Sequence, residues 1–231
     1  MNEPLVLLPG MMCDGRLFTP QIAAFSSERP VMVIPSLGEA SMSGYAAHVL
    51  EVAPPRFLLA GLSMGGIIAM EVIRQAPERV TRLALFDTNP LPDPPEKAPL
   101  RAAQVAQVRQ GRLREVMRDE MKPNYLADGP RKAQILDLCM EMAEALGPET
   151  FGEQSHAVQT RPDQSETLRS VKVPTLVLCG EEDKLCPVSR HRLMHDLIPG
   201  SELVVVSEAG HLPTLEQPEI TNEAMTRWMS N

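Results

Sequence analysis

Aromatic residues are scarce, only 3% of the 231 residues, with a single tryptophan. A core of this chain must therefore be aliphatic and methionine-rich, drawing on 14 Met and a 43% hydrophobic composition. Cysteine is also sparse: Cys13, Cys139, Cys179 and Cys186 show neither a CxxC pair nor zinc-ligand spacing. That excludes a disulfide scaffold and a cysteine-based zinc module, and it suits a reducing cytoplasm. No stretch approaches the ~18 consecutive apolar residues of a membrane span, and Met1–Leu8 lacks the basic region and apolar length of a secretory signal. Lys and Arg form no stripe, and the net charge is −8, so a nucleic-acid partner is not expected. The acidity reads as solubility rather than as a clue to substrate.

Proline, by contrast, is abundant at 22 residues, and it punctuates a regular rhythm. Short apolar runs recur, each closed by turn chemistry: Leu5–Leu8, Val31–Ile34, Phe57–Ala60, Leu83–Phe86, Thr175–Cys179 and Leu203–Val206. They are continuous rather than alternating, the pattern of strands buried on both faces of a parallel sheet. Helix-like segments lie between them, at Ser43–Val52, Gly65–Gln75, Ser189–Leu197 and Pro218–Met229. Strand alternating with helix predicts a single α/β domain over 1–231, with a doubly wound, mostly parallel sheet. From Pro90 to about Ser170 no strand pattern appears. A Pro-rich linker, Pro90–Pro95, leads into helical patterns around Ala102–Met121, Arg131–Leu146 and Thr150–Thr160. The expected division is a core of 1–90 and 171–231 with a helical lid over about 91–170. Such an insertion leaves from the carboxyl ends of the strands, where open α/β sheets bind their ligands.

The third run enters Gly61-Leu62-Ser63-Met64-Gly65-Gly66, a G-x-S-x-G with a strand before it and a helix after it. Serine on that tight turn exposes its hydroxyl, and the glycines relieve the crowding around it. The blander reading is a Gly-Ser turn that only packs a helix on the sheet. A serine nucleophile needs a base within hydrogen-bond reach and an acid to orient that base. Downstream, in that order, stand Asp183 in Gly180-Glu181-Glu182-Asp183-Lys184-Leu185-Cys186-Pro187 and His211 in Glu208-Ala209-Gly210-His211-Leu212-Pro213. Each follows a strand.

These motifs together resemble the α/β-hydrolase superfamily, and the likeness runs over the whole chain. It rests on GLSMGG, on the G-x-x-D-x-x-x-P register at Gly180–Pro187, and on GHLPTLEQP at Gly210–Pro218. Gln75–Val80 and Val173–Leu176 are similar to the group as well. The resemblance implies the catalytic set Ser63, Asp183 and His211. Some relatives place the acid after the preceding strand, where Asp87 stands. It also implies an oxyanion hole from the Met64 N–H and from the loop after the first strand, by the Met11 N–H or else that of Met12. Pro9 replaces the histidine usual in that loop.

Other histidines have plainer readings. His48 reads as structural, and the i,i+4 pair His191 and His195 reads as a solvated helix face rather than a zinc site. His156 lies in the insertion, as a polar helix position or a substrate contact. Arg109, Arg112, Arg114 and Arg118 read as a solvated helix, so no arginine cluster for an anion is assigned. The methionines Met117, Met121, Met140 and Met142 suit either an adaptable acyl pocket or packing within the lid.

The expected chemistry is hydrolysis of a small ester through an acyl-enzyme on Ser63, with no metal or organic cofactor and a small-molecule substrate. Close variants on the same three residues are a cofactor-free haloperoxidase or perhydrolase and a C–C bond hydrolase. A non-catalytic ligand receptor is the reading from another class.

Overall fold

The computed structural model describes residues 2–230. Six strands form one sheet: β1 (Leu5–Leu8), β2 (Val31–Val33), β3 (Phe57–Leu62), β4 (Val80–Phe86), β5 (Thr175–Gly180) and β6 (Glu202–Val206). Their order is β2-β1-β3-β4-β5-β6, and every pairing is parallel. This is the α/β-hydrolase arrangement, wound in both directions from β1. The four central strands carry the continuous apolar runs because helices cover both their faces. Residue alternation sorts the core: Val6, Leu8, Leu59, Leu83 and Leu85 pack on one side, and Leu5, Leu7, Leu58, Ala60 and Phe86 on the other. The edge strands depart from the expectation of full burial, since β2 is only half-buried throughout and Val205 of β6 is exposed.

Among the described residues ten α-helices accompany the sheet: α1 (Thr19–Phe25), α2 (Met42–Val52), α3 (Met64–Gln75), α4 (Ala98–Arg109), α5 (Leu113–Glu115), α6 (Lys132–Gln159), α7 (Ser165–Ser170), α8 (Val188–Leu197), α9 (Pro213–Glu216) and α10 (Pro218–Ser230). Helix α3 is buried along most of its length and passes directly under the centre of the sheet. Trp228 of α10 closes the opposite face.

Between β4 and β5 the described chain is helical. The single helix expected over Ala102–Met121 is instead divided at Gly111 (φ +84°), followed by a short π-helical turn at Val116–Met121. The two later patterns are joined in α6, bent where Gly147 (φ +81°) leaves the helical region just before Pro148. Glycine tolerates that left-handed backbone and proline cannot continue the preceding ladder, so the break is local in origin. Met117, Met140, Val108 and Phe151 of this segment form their own cluster around Met12.

Candidate active site

The carboxyl ends of β3, β5 and β6 converge on one point. Ser63 is the residue between β3 and α3, held at φ 55°, ψ −115°. That is a sparsely populated conformation for a residue with a side chain and costs about 1–3 kcal/mol. Its neighbours fix it there: the Ser63 N–H donates to the Phe86 carbonyl at 2.8 Å, and its own carbonyl accepts from Thr88 Oγ1 at 2.7 Å. The flanking glycines are required by space. A Cβ on Gly61 would lie 2.2 Å from the Gly65 carbonyl oxygen, and one on Gly65 would lie 2.0 Å from that of Leu8.

His211 Nε2 stands 2.9 Å from Ser63 Oγ, and His211 Nδ1 stands 2.8 Å from Asp183 Oδ2. The other Asp183 oxygen accepts the N–H groups of Leu185 and Cys186 at 2.8 and 3.0 Å. Burial opposes ionisation of Asp183, but the His211 ring and these donors outweigh it and hold the carboxyl below its ordinary range. The loops bearing acid and base are pressed together, since a Cβ on Gly180 would lie 1.9 Å from the Gly210 carbonyl oxygen. A carboxylate, an imidazole and a hydroxyl in this order can move a proton off the hydroxyl as it attacks a carbonyl.

Asp87, the other candidate acid, lies outside this chain of contacts with His211. It is fully buried at φ 44°, with Oδ1 accepting the Gly180 N–H at 2.9 Å. Oδ2 has no hydrogen-bond partner. Burial and the adjacent Asp183 charge push its pKa well up, so it sits beside Asp183 as a neutral carboxyl.

Donors for a developing oxyanion are limited in number. Met64 is the first residue of α3, so its N–H lacks an intrahelical acceptor. In the loop after β1, the Met12 N–H is already taken by Gln154 Oε1 at 2.8 Å, with Met12 at φ 56°. The Met11 N–H carries no such bond, and Met11 lines the cavity at Ser63.

That cavity has a volume of about 290 Å³. Its wall includes Ser63, His211, Met11, Met64 and Ile67 from the core, and Leu100, Met121 and Tyr125 from the helical segment. Of the four methionines singled out in that segment, only Met121 reaches the cavity; Met117 and Met140 pack around Met12, and Met142 packs in the core behind. Asp183, Cys186 and His211 bring ligand-type atoms within 4.8 Å of one another. Both His211 nitrogens are engaged, however, and burial pushes the Cys186 thiol well up, so the trio suits proton transfer better than a cation.

Two expectations need correction, and several residues were missed. His191 is not on a solvated face: it is fully buried, and its Nε2 accepts the Thr88 N–H at 3.0 Å. Burial lowers its pKa to about 4, so the ring is neutral. An arginine grouping on the cavity wall does exist, formed by Arg101 and Arg161 around Asp93 rather than by the exposed Arg109, Arg112, Arg114 and Arg118. His156 is exposed and outside the cavity lining, while His48 is half-buried on α2 and His195 is tied to Ser201. The missed contributors are Glu216, Gln154 and Tyr125. Glu216 accepts the N–H groups of Gly210, Leu212 and Ala127 at 2.9, 2.9 and 2.8 Å. Only its place inside GHLPTLEQP hinted at a role.

The sequence profile described as "Alpha/beta hydrolase family" matches residues 5–224. A pimeloyl-[acyl-carrier protein] methyl ester esterase of Klebsiella pneumoniae is 28% identical over 93% of this chain and 88% of its own length. A carboxylesterase of Bacillus subtilis, itself described as uncharacterized, is 26% identical over 98% of this chain and 79% of its own. Among solved structures, a thermophilic esterase from Thermogutta terrifontis, determined with malate bound, superposes with a TM-score of 0.89. It is 28% identical, over 100% of this chain and 90% of that one.

Proposed function

Because the chain belongs to the alpha/beta hydrolase family and is a hydrolase of ester bonds, we propose that Ser63 is its nucleophile, His211 its general base and acid, and Asp183 the carboxylate that orients His211. The observation that carries this reading is the continuous contact Asp183–His211–Ser63, at 2.8 and 2.9 Å, opening into one cavity. Ser63 Oγ attacks the ester carbonyl as His211 Nε2 takes its proton. The Met64 and Met11 N–H groups receive the oxyanion, each such donor typically contributing ~10²–10³ in turnover. His211 then protonates the departing alkoxide; a water deprotonated by the same base attacks the acyl-enzyme, the Ser63 Oγ–acyl bond breaks, and His211 returns the proton to Ser63 as the acid leaves.

The helical segment over about 91–170 serves as the lid of this site, contributing part of the cavity wall through Leu100, Met121 and Tyr125. Small-molecule esters are the substrates, and the reaction draws on side chains and backbone donors alone. The described residues contain no helix long and apolar enough to cross a membrane, and the four cysteines are free thiols. The free thiols support a cytoplasmic location.

The deciding experiment is the Ser63→Ala variant assayed on nitrophenyl esters, with fluorophosphonate labelling of parent and variant. Hydrolysis by the variant should fall by about 10³-fold or more, and the parent should take up the label while the variant does not. A variant that hydrolyses esters as well as the parent overturns the assignment.

A further inference from the structure

The cavity at Ser63 holds two guanidiniums for one carboxylate. Asp93, within the proline-rich linker, has a side chain only 3% exposed. It accepts from Arg101 Nε at 2.5 Å and Nη2 at 3.1 Å, and from Arg161 Nη1 at 3.2 Å. Arg161 is buried, and its remaining bonds go to the carbonyls of Leu91 and Val158 at 2.8 and 3.1 Å. Carbonyls satisfy its donors without cancelling its charge. The trio therefore keeps one uncompensated positive charge, and Lys97 on the same wall adds another. Burial and the repulsion of Arg101 hold the Arg161 pKa below its ordinary value despite Asp93. Glu120, the other acid on the wall, is bonded by the amides of Gln104 and Gln107 at 3.0 and 3.1 Å and keeps its own charge, so three cations face two carboxylates and one positive charge remains on the wall. A positive cavity in a protein of net charge −8 runs against the overall sign.

Buried positive charge is costly unless an anion completes it, and arginine presents planar forks that fit a carboxylate. Arg161 Nη2 and Arg101 Nη1 have no protein acceptor among the described residues, and both residues face the cavity that Ser63 faces.

We propose that the substrates are anionic esters, monoesters of dicarboxylic acids, whose free carboxylate docks on Arg161 and Arg101 while the ester carbonyl lies at Ser63. This rests on the reading of Ser63 as nucleophile. In the reaction the Ser63 Oγ–acyl bond forms, the ester C–O bond to the alcohol breaks, and the Ser63 proton passes through His211 to the alkoxide. Water then cleaves the acyl-enzyme, giving a dicarboxylate. The apolar part of the same cavity lining, which includes Ile67, Leu62, Val158 and Met11, suits the methylene chain.

The test separates binding from catalysis. Monomethyl glutarate and its uncharged counterpart methyl valerate are titrated into the Ser63→Ala protein by calorimetry. The anion should bind about tenfold or more tightly, with the advantage lost in the Arg101→Gln and Arg161→Met backgrounds and partly kept in Arg161→Lys. With intact Ser63, the nitrophenyl half-ester of glutaric acid should exceed nitrophenyl valerate by a similar factor in kcat/KM, and the preference should shrink as salt is raised. Equal binding of the two methyl esters by the Ser63→Ala protein overturns the proposal, without reference to any arginine variant. Tight binding of the anion alongside undiminished hydrolysis by Ser63→Ala would instead sink the nucleophile assignment and leave this one standing.

Discussion

The backbone N–H of His211 donates to the carbonyl of Tyr125 at 2.6 Å. Tyr125 belongs to the helical segment between β4 and β5, so the loop carrying the imidazole is braced from outside the sheet. The two aromatic rings also lie near each other, centroids 6.0 Å apart. Glu216 locks the same junction from the other side by gathering N–H groups of Gly210 and Leu212 with that of Ala127.

Glu216→Ala strands three backbone donors in a buried place. Unsatisfied buried groups cost ~1–3 kcal/mol each, so a loss of about 3 kcal/mol or more in unfolding free energy is expected. Turnover should fall too, because His211 loses its bracing. Urea melts and ester kinetics on the one variant check both; a melt that matches the parent refutes the bracing role.

The two carboxyls near His211 should separate cleanly under amide substitution. Asp183→Asn removes the carboxylate that selects the tautomer of His211 and stabilises its charged form, and kcat should drop by about 10³–10⁴ as in other triads. Asp87→Asn replaces a neutral carboxyl with a neutral amide of the same shape and should stay within about threefold of the parent. Because the raised pKa of Asp87 makes the unfolded chain release a proton that the folded one keeps, stability is lost as pH rises above the unfolded value near 4. Asp87→Asn should therefore flatten the pH dependence of stability on that side.

His191 predicts the acid limb. Its folded pKa of about 4 lies below that of an unfolded histidine, so the unfolded chain takes up a proton first as pH falls. The contribution of His191 to stability should be full above about pH 6.5 and decline toward pH 4, by roughly 3 kcal/mol if the whole difference is expressed, opposing the contribution of Asp87 in the same range. His191→Gln, which keeps an acceptor for the Thr88 N–H, should remove most of that slope in urea titrations run from pH 7 to 4.5.

Gln154 is the last test. Its amide bridges the Met12 N–H and the Ser36 carbonyl, both at 2.8 Å, and is buried. Gln154→Ala leaves both partners unpaired and loosens the loop that presents Met11. A fall of about tenfold in kcat with a smaller change in KM is expected, since the loss acts on transition-state contacts. A change confined to KM would assign Gln154 to substrate binding instead.

Much of this was legible in the sequence, for identifiable reasons. Ser63 sits in a motif whose glycines are demanded by contacts of 2.0–2.2 Å, and such demands fall on neighbours in the chain. The central strands declare themselves because burial on both faces leaves no polar alternation. Gln154 and His191 were not legible, because their partners lie far along the chain: Gln154 bonds Met12 across 142 positions, and His191 bonds Thr88 across 103. Glu216 bonds Gly210 and Leu212 close by, and what the sequence hid was its third partner, Ala127, 89 positions away. A lone polar residue on a helix reads the same whether it meets water or a distant backbone amide. The Arg101–Asp93–Arg161 grouping was hidden likewise, split between a linker, α4 and the second residue past α6.

The Gln154 bridge bears on how such enzymes diversify. A helical insert that only rested on the sheet could be exchanged between relatives like a cartridge. Here the insert supplies one acceptor to the loop after β1 and another, through Tyr125, to the loop after β6. A transplanted insert lacking an amide and a carbonyl at those two places would leave the chemistry of the host disarranged, even with every core residue unchanged. Changes in substrate range are therefore expected to accumulate at side chains such as Leu100, Arg101 and Met121, which line the cavity without carrying either strut.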